Sequence, residues 1–562
     1  MLSSGAMKTT LLALAALLAS TAALADTLVS NVNGIQIGPD GKLQHFTGML
    51  IDNDGKVEFL IPPGGPMPIT AIEIDGRGMT LLPGLIDAHG HVIGLGLQAV
   101  QLDLTGTASL QELQQRLRRY AAANPGNSWI LGRGWNQELW PDKSFPTAAD
   151  LDAIVADRPV WLGRVDGHAA VGNSAAMKAA GVIRDTPTPT GGKIEKDAAG
   201  NPTGLFVDNA MNLVGPKIPE PTPEQLDAAL AKAQAILLGF GVTAAGDMGT
   251  SPNGWAAMNR AGQAGHLNVR IMSYASALPT LEAIGISSPT NWMYGDHLRM
   301  GGVKLYSDGA LGSRGAWLKR PYADKPDTRG LQFLSDEELR NQAGKAAAMG
   351  FQVAVHAIGD AANAQVISTY EELSRQYGRD RRWRIEHAQV VDPADIPRIA
   401  KAGIIASMQP THQTSDRLMV EKRLDPPRLA GAYAWRTIEK SGAVLAFGSD
   451  FPVESPNPFP GLSAAISRQD PQGKPPGGWR PHERVSLETA LAGFTRNAAY
   501  AGFAEDRIGS LEPGKWADFV LVDRDPTRVD PQALAATHVL QTWVAGKKVY
   551  ERAASGGAGR VR

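Results

Sequence analysis

Several histidine, lysine and aspartate residues have a spacing that suits metal-assisted hydrolysis. The first are His89 and His91, which end the run Pro83-Gly84-Leu85-Ile86-Asp87-Ala88-His89-Gly90-His91. Side chains at i and i+2 of a strand point to the same face, so both imidazoles can converge on one ion. A bare His-x-His occurs by chance in many proteins. Its position at the end of an apolar strand favours a metal site here.

Four further candidates occupy the ends of predicted strands, where barrel enzymes place their chemistry. Lys304 lies within the apolar run Val303-Lys304-Leu305, and a buried ammonium must be paired, neutralised or modified. His356, His387 and Asp450 end the segments that begin at Val353, Arg384 and Phe447. A single strand-end histidine is more often a hydrogen-bonded core residue. Five such positions, beginning with His-x-His, favour a metal site instead.

Five other residues are candidates for holding a substrate carbonyl or carboxylate: Arg133, Trp135, His168, Arg314 and His412. The first three belong to a long segment between the first two predicted strands, and His412 follows the seventh strand. For Arg314, a structural salt bridge within its Gly-rich loop is an equally good interpretation. Trp140 is expected to pack in the core of the long segment.

Short apolar segments alternate with amphipathic stretches of helix length, which is typical of a parallel sheet covered by helices. The predicted strands are 81–86, 241–245, 268–274, 300–305, 351–355, 383–386, 404–408 and 444–447. Eight strands predict an α/β fold of the (β/α)8 TIM-barrel type. A doubly wound open sheet is the alternative, but no Gly-rich phosphate fingerprint follows the first strand.

The domain organisation follows from the β-type pattern at both ends of the chain. Residues 26–83 and 501–553 are expected to form one small β-sandwich domain, with the barrel in 84–500 and a loose tail in 554–562. A segment of about 94–219 is too long for one βα unit, so it is predicted to be an insertion over the barrel mouth.

Composition narrows the classes of partner. The 562 residues are 43% hydrophobic and 20% charged with a formal net charge of −1, which favours a small-molecule substrate over nucleic acid or anionic lipid. There is no cysteine, which excludes thiolate metal sites, cysteine nucleophiles and disulfides. Composition says nothing about oligomeric state.

The first 25 residues predict export. Lys8 precedes a short apolar run, and Ala23-Leu24-Ala25 resembles a cleavage site, so we expect a signal peptide cleaved after Ala25 and a periplasmic or secreted protein. Met7 is an alternative start. A membrane anchor or a buried helix is the alternative, although the run is shorter than the roughly 20 residues needed to span a bilayer. No other stretch is long enough for a membrane span.

The ordered set of strand-end residues resembles the amidohydrolase superfamily over nearly the whole mature chain. Three segments resemble the branch of this superfamily that includes N-substituted formamide deformylases. They are Val303-Lys304-Leu305-Tyr306-Ser307-Asp308-Gly309-Ala310-Leu311-Gly312-Ser313-Arg314-Gly315-Ala316, Gly132-Arg133-Gly134-Trp135-Asn136 and Asp166-Gly167-His168-Ala169. The resemblance implies a hydrolase of carbon–nitrogen bonds other than peptide bonds. It also implies the composite β domain and the large insertion.

Metal ligands can be assigned on this basis. His89, His91 and Asp450 are assigned to a first divalent ion, for which imidazoles and a carboxylate suit zinc. The resemblance implies that Lys304 is carbamylated and bridges to a second ion on His356 and His387. Asp450 is then expected to hold the nucleophilic water, take its proton and pass it to the leaving nitrogen.

Three alternatives stay open from the sequence. An unmodified Lys304 paired with Asp308 or Asp450 would leave a site for one ion. Deaminases of this superfamily resemble one another in a His-x-x-Glu motif at the fifth strand. Here His356 is followed by Ala357-Ile358-Gly359-Asp360, so the expected glutamate is absent. A non-catalytic descendant that binds a metal or a partner would have no reason to keep every ligand position.

Overall fold

The computed structural model describes residues 26–553 except 127, 166–168 and 190–191. The predicted signal peptide and loose tail therefore lie outside the described residues. The chain forms two compact units. One comprises the residues up to Val92 together with those from Gln234 onwards, and the other runs from Ile93 to Ala233. Within the described part of the chain, no helix has the length and apolar character needed to cross a membrane.

The strands and helices alternate along most of the chain. The strands are β1 Thr27–Ser30, β2 Asn33–Ile37, β3 Leu43–Phe46, β4 Gly48–Ile51, β5 Val57–Ile61, β6 Ile72–Asp75, β7 Thr80–Pro83, β8 Leu85–Gly90, β9 Leu102–Asp103, β10 Ile130–Trp135, β11 Val160–Arg164, β12 Ala169–Gly172, β13 Gly192–Lys196, β14 Pro202–Asp208, β15 Val242–Thr250, β16 Arg270–Ala275, β17 Leu298–Tyr306, β18 Gln352–Ala357, β19 Arg384–His387, β20 Ile405–Met408, β21 Val444–Phe447, β22 Phe519–Val522, β23 Val539–Val544 and β24 Lys547–Glu551. The α-helices are α1 Val92–Val100, α2 Leu110–Ala123, α3 Ala148–Asp152, α4 Ser174–Ala180, α5 Pro223–Gly239, α6 Pro252–Gln263, α7 Leu278–Ala283, α8 Asp336–Ala348, α9 Asp360–Tyr377, α10 Ile396–Lys401, α11 Pro410–Arg423, α12 Pro426–Leu429, α13 Trp435–Lys440, α14 Pro458–Ser467, α15 Leu487–Gly493, α16 Arg496–Ala501 and α17 Pro531–Ala535.

Eight parallel strands form the barrel sheet, in the order β8-β15-β16-β17-β18-β19-β20-β21. Its two ends meet where Gly90 and Phe451 form a parallel bridge. There the His91 N–H donates to the Phe451 carbonyl at 2.7 Å, and the Asp450 N–H donates to the His89 carbonyl at 2.8 Å. A Cβ at Gly90 would lie 2.3 Å from the Phe451 ring, so this junction needs glycine. The TIM-barrel prediction is confirmed.

The prediction of a single strand over 81–86 was wrong, because this apolar run is divided between two strands of different sheets. β7 pairs antiparallel with β22 in the β domain, whereas β8 pairs with β15 in the barrel. Gly84 separates them: its N–H donates to the Asp518 carbonyl, and a Cβ there would collide with Thr243 at 2.2 Å. A continuous apolar pattern does not reveal that the chain changes sheets.

The β domain is built from both ends of the chain, as predicted. One sheet has the order β5-β4-β1-β6, and the other, β24-β23-β22-β7-β2-β3, mixes strands from the two ends. The two sheets share a core in which Val29 and Met49 from the first pack with Leu81 and Phe519 from the second. This shared core makes the domain a sandwich.

The insertion has its own six-stranded sheet, in the order β13-β14-β12-β11-β10-β9. Its core includes Leu113, Leu151 and Leu162. The compact unit runs to Ala233, whereas the predicted segment ended near 219. The difference arises because α5 packs against α1 so closely that a Cβ at Gly96 would lie 1.9 Å from the Ala229 carbonyl oxygen.

Candidate metal centre

The carboxyl ends of the barrel strands bring two overlapping groups of ligand atoms together. His89, His91 and Asp450 each offer an atom within 4.8 Å of the others, and so do His387, His412 and Asp450. Asp450 is common to both groups, so its carboxylate lies between them. These atoms come from the ends of β8, β19, β20 and β21, which only the closed barrel brings into contact.

A buried carboxylate fixes the orientation of His89. The His89 Nδ1 lies 2.6 Å from Glu386 Oε2, which makes Nδ1 the donor and leaves the Nε2 lone pair for an ion. Glu386 also accepts from Arg384 Nε at 2.7 Å. Burial alone would raise the pKa of Glu386, but Arg384 and His89 outweigh it and hold that pKa far below its usual range. Glu386 is therefore a permanent anion behind the site.

Asp450 faces both histidines of the first motif. Its Oδ1 lies 3.0 Å from His91 Nε2 and 3.4 Å from His89 Nε2. Burial would raise the pKa of Asp450, but His89, His91 and His387 outweigh it and hold the pKa well below its usual range. Asp450 is thus a carboxylate at neutral pH, as a ligand or a proton acceptor must be.

Lys304 is buried at the centre of this cluster. Its Nζ lies 3.4 Å from His89 Nε2 and, among the described residues, forms no ion pair with a carboxylate. Burial lowers the pKa of Lys304 to about 8, against the opposing charges of Glu386 and Asp450. The pair of Lys304 with Asp308, which the sequence left open, is not observed, because Asp308 accepts backbone N–H groups from two neighbouring loops, at Trp317 and at Ile358 and Gly359.

His356 and His387 lie beside one another, with ring centroids 4.5 Å apart. His387 Nδ1 lies 2.9 Å from Gln409 Oε1, so its Nε2 is available to an ion. His356 Nε2 is buried and forms no hydrogen bond with any described residue; Asp308 Oδ1 lies 3.6 Å from it. Burial lowers the pKa of His356 to about 3. A neutral, unpartnered imidazole nitrogen in the interior is costly unless a ligand occupies it.

The backbone is strained at this centre. His387 has a φ of 75°, Ala388 of 42° and Asp450 of 59°, in the left-handed region that non-glycine residues rarely adopt. Such strain persists where surrounding structure enforces it, and it concentrates at functional sites. At two of the three positions the strained residue is itself a candidate ligand.

The predicted substrate residues have different environments. His412 lies closer to the centre than expected: its Nε2, which bonds to no residue in the described part of the chain, is 3.9 Å from Asp450 Oδ2. Arg314 forms the predicted alternative, a salt bridge, with Asp324 at 2.8 Å. Arg133 donates to the Val165 carbonyl at 3.2 Å, within the insertion. His168 lies outside the described residues.

Trp135 differs from the expectation of a substrate contact. Its side chain is fully buried in the core of the insertion, and its indole N–H donates to the Leu162 carbonyl at 2.8 Å. The physical reason is alternation on β10, which turns Trp135 towards the same core as Trp140. Trp140 packs there as predicted, with its indole N–H on the Thr107 carbonyl.

Comparison with known proteins agrees with this geometry. The sequence pattern of the amidohydrolase family matches residues 73–550. The chain belongs to this family. This amidohydrolase is 36% identical over 541 residues to Protein LONG AFTER FAR-RED 3 of Arabidopsis thaliana, covering 94% of this chain and 92% of that protein. It is 27% identical over 498 residues to the N-substituted formamide deformylase of Arthrobacter pascens, covering 86% and 90% of the two chains.

Solved structures resemble this amidohydrolase over most of its length. An uncharacterized metal-dependent hydrolase from Pyrococcus horikoshii has a TM-score of 0.75 and 29% identity, covering 90% of this chain and 99% of that one. A similar hydrolase from Pyrococcus furiosus has a TM-score of 0.74 and 30% identity, covering 90% and 100%. Family and structures together support a metal-dependent hydrolase that uses a divalent ion.

Sequence reasoning missed two residues that orient candidate ligands of this amidohydrolase, Glu386 and Gln409. A signal for Glu386 was present, because Arg384 and Glu386 occupy alternate positions of one buried strand and must neutralise each other. Gln409 carried no comparable signal. Its contact with His387 depends on how β19 and β20 pair.

Proposed function

We propose that this amidohydrolase cleaves carbon–nitrogen bonds other than peptide bonds, in amides or N-substituted formamides. The observation that carries the proposal is the convergence of His89, His91, His387 and Asp450 around a buried Lys304. The name of the Arthrobacter pascens relative supports formamides as one substrate class.

The donor set fits two divalent ions, for which we propose zinc. His89, His91 and Asp450 would hold the first, and His356 and His387 the second. The Nε2 of His356, which forms no hydrogen bond within the described ranges, supports this assignment. So does the occupation of the other ring nitrogens of His89 and His387 by Glu386 and Gln409. Bound divalent ions supply Lewis acidity and make water more acidic.

Lys304 is proposed to be carbamylated. The ammonium first loses a proton. The neutral amine then attacks carbon dioxide, the C–N bond forms as one C=O π bond opens, and a second proton leaves the nitrogen, so that a buried cation becomes an anion. Since burial lowers the pKa of Lys304 to about 8, a substantial fraction of the amine is neutral near physiological pH. The carbamate would supply two oxygens between the ligand groups, where His89 Nε2 is already 3.4 Å away.

The proton transfers of the reaction are assigned to Asp450. Asp450 orients the attacking water, accepts its proton and delivers that proton to the leaving nitrogen. Its lowered pKa keeps it ready as an acceptor. Deamination is disfavoured, because Gly359 occupies the position of the expected glutamate, and the next residue, Asp360, accepts the Lys319 backbone N–H at 2.8 Å.

The proposal is tested by hydrolysis of N-acyl and N-formyl amines with added zinc. His89→Ala should lose both metal and activity, whereas His45→Ala, a change at an exposed position of β3, should lose neither. Retained hydrolysis in a metal-free His89→Ala protein would refute the catalytic assignment. One metal equivalent at full activity, with Lys304 unmodified by mass spectrometry, would refute the two-ion arrangement.

We further propose that the protein acts in the periplasm or outside the cell, after cleavage following Ala25. Sequencing the amino terminus of the purified native protein tests this. A mature chain that begins at Asp26 is expected, and an intact Met1 or Met7 would contradict export.

A further inference from the structure

Tyr306 lies beside two of the candidate ligands, Lys304 and His356, although the proposed metal assignment does not use it. It is two positions after Lys304 on β17, so both side chains point into the barrel mouth. The Lys304 Nζ is 5.1 Å from the phenol ring centroid, and the His356 ring is 5.5 Å from it. The ring is therefore held against two residues of the centre.

The hydroxyl of Tyr306 extends away from these contacts. It lies 3.8 Å from the position that a Cβ would take at Gly249, near the end of β15. Since β16 separates β15 from β17, the phenol reaches past one strand along the mouth. The side chain is partly exposed, and its hydroxyl bonds to none of the described residues. A fixed ring with an unpaired O–H presents a donor to whatever enters the mouth.

We propose that Tyr306 is a further catalytic residue, whose hydroxyl donates a hydrogen bond to the substrate carbonyl oxygen. This inference rests on the proposed hydrolytic function. As the carbonyl carbon becomes tetrahedral, its oxygen gains negative charge, and a positioned donor stabilises that charge more than the ground state. The phenol keeps its proton throughout, so no proton is transferred through Tyr306.

A second role is available to the same side chain, since the ring could act only as an apolar wall for the substrate. Phenylalanine keeps the wall and removes the donor, so Tyr306→Phe separates the two roles. The matched control is Tyr500→Phe, which makes the same change on another partly exposed tyrosine. Tyr500 lies in α16, which follows the last barrel strand in the sequence.

The experiment compares steady-state kinetics of the zinc-loaded full chain and both variants on N-formyl and N-acyl amines. For Tyr306→Phe we expect kcat to fall about 100-fold with KM, metal content and Tm unchanged, as for loss of one oxyanion donor. Tyr500→Phe should match the wild type. A kcat within about threefold of the wild type in metal-replete Tyr306→Phe would overturn the role.

A thioamide series gives a readout that a structural role would not change. Sulfur is a weak hydrogen-bond acceptor. The ratio of wild-type to Tyr306→Phe kcat should therefore be much smaller for thioamides than for the matching amides, and equal ratios would overturn the inference. Wild-type turnover with no effect of the variant refutes the role of Tyr306 alone. Absence of any wild-type turnover with zinc bound refutes the proposed function and this role together.

Discussion

Replacing Glu386 by glutamine tests whether a residue that touches no substrate controls the metal centre. The substitution keeps the size of the side chain and removes its charge. In the wild type, the carboxylate contacts His89 Nδ1 at 2.6 Å and accepts two hydrogen bonds from Arg384, at 2.7 and 3.1 Å. Glutamine can hold His89 with its amide oxygen only if its NH2 group turns towards Arg384, which is also a donor.

Two magnitudes follow from this geometry. Loss of a carboxylate behind a ligating histidine lowers metal affinity about 10- to 100-fold, or roughly 1.4–2.8 kcal/mol. Breaking a buried ion pair costs about 3–5 kcal/mol of unfolding free energy. We expect the lower end, because Arg384 keeps hydrogen bonds to the Ala88 carbonyl, the Ser407 hydroxyl and the Tyr274 hydroxyl.

The assay is competition for zinc with a chromophoric chelator, together with urea unfolding of the metal-free protein. Glu483→Gln is the matched control, because Glu483 is also a buried carboxylate but is bonded to Thr437, away from the metal centre. It should lose stability without losing metal affinity. A folded Glu386→Gln protein whose zinc Kd stays within about threefold of the wild type would refute the reasoning.

Three further predictions concern the barrel junction, the insertion and a surface loop. Gly90→Ala places a methyl group 2.3 Å from the Phe451 ring and should cost about 1–3 kcal/mol together with metal affinity; unaltered zinc binding would contradict this. Trp135→Phe removes the indole hydrogen bond to the buried Leu162 carbonyl, so urea unfolding should show a loss of about 1 kcal/mol at unchanged KM, and a raised KM would instead restore Trp135 as a substrate contact. The hydrogen bond from Arg314 lowers the pKa of Asp324, so the stabilisation is fully present above the unfolded pKa of 3.8 and is lost as pH falls through the lower folded pKa. The Tm difference from Asp324→Asn should therefore vanish in acid, and a difference independent of pH would show that charge is not involved.

The barrel and the order of its candidate ligands could be predicted from sequence, because each follows from local patterns. Strand-end positions of Lys304, His356 and His387 were readable from apolar runs that stop at a polar residue. Barrel closure then brings those ends together without any further information. The proximity of these candidate ligands could therefore be predicted from the number of strands and from the position of each motif within its own strand.

Two kinds of feature could not be predicted. Some depend on contacts between strands that are distant in the sequence, and others depend on the different environments of residues with similar local sequence. Trp135 and His412 are both polar-tipped residues near strand ends, yet one packs in the insertion core and the other lies 3.9 Å from Asp450. Gly84 marks a change of sheet that the apolar run 81–86 conceals. Residues that meet in the fold but are far apart in the sequence show no local sequence pattern that predicts their contact.

Charge balance links the state of Lys304 to the metal. Among the buried groups of the barrel mouth, Arg384 and Lys304 contribute one positive charge each, and Glu386 and Asp450 one negative charge each, so these four groups are neutral together. Carbamylation of Lys304 would leave a net charge of −2, which the low-dielectric interior tolerates only with bound cations. Modification and metal binding must then favour each other to the same extent. Bicarbonate should therefore tighten zinc binding by the wild type and leave Lys304→Met unaffected, as measured by chelator competition; bicarbonate-independent zinc binding by the wild type would show that the lysine stays unmodified.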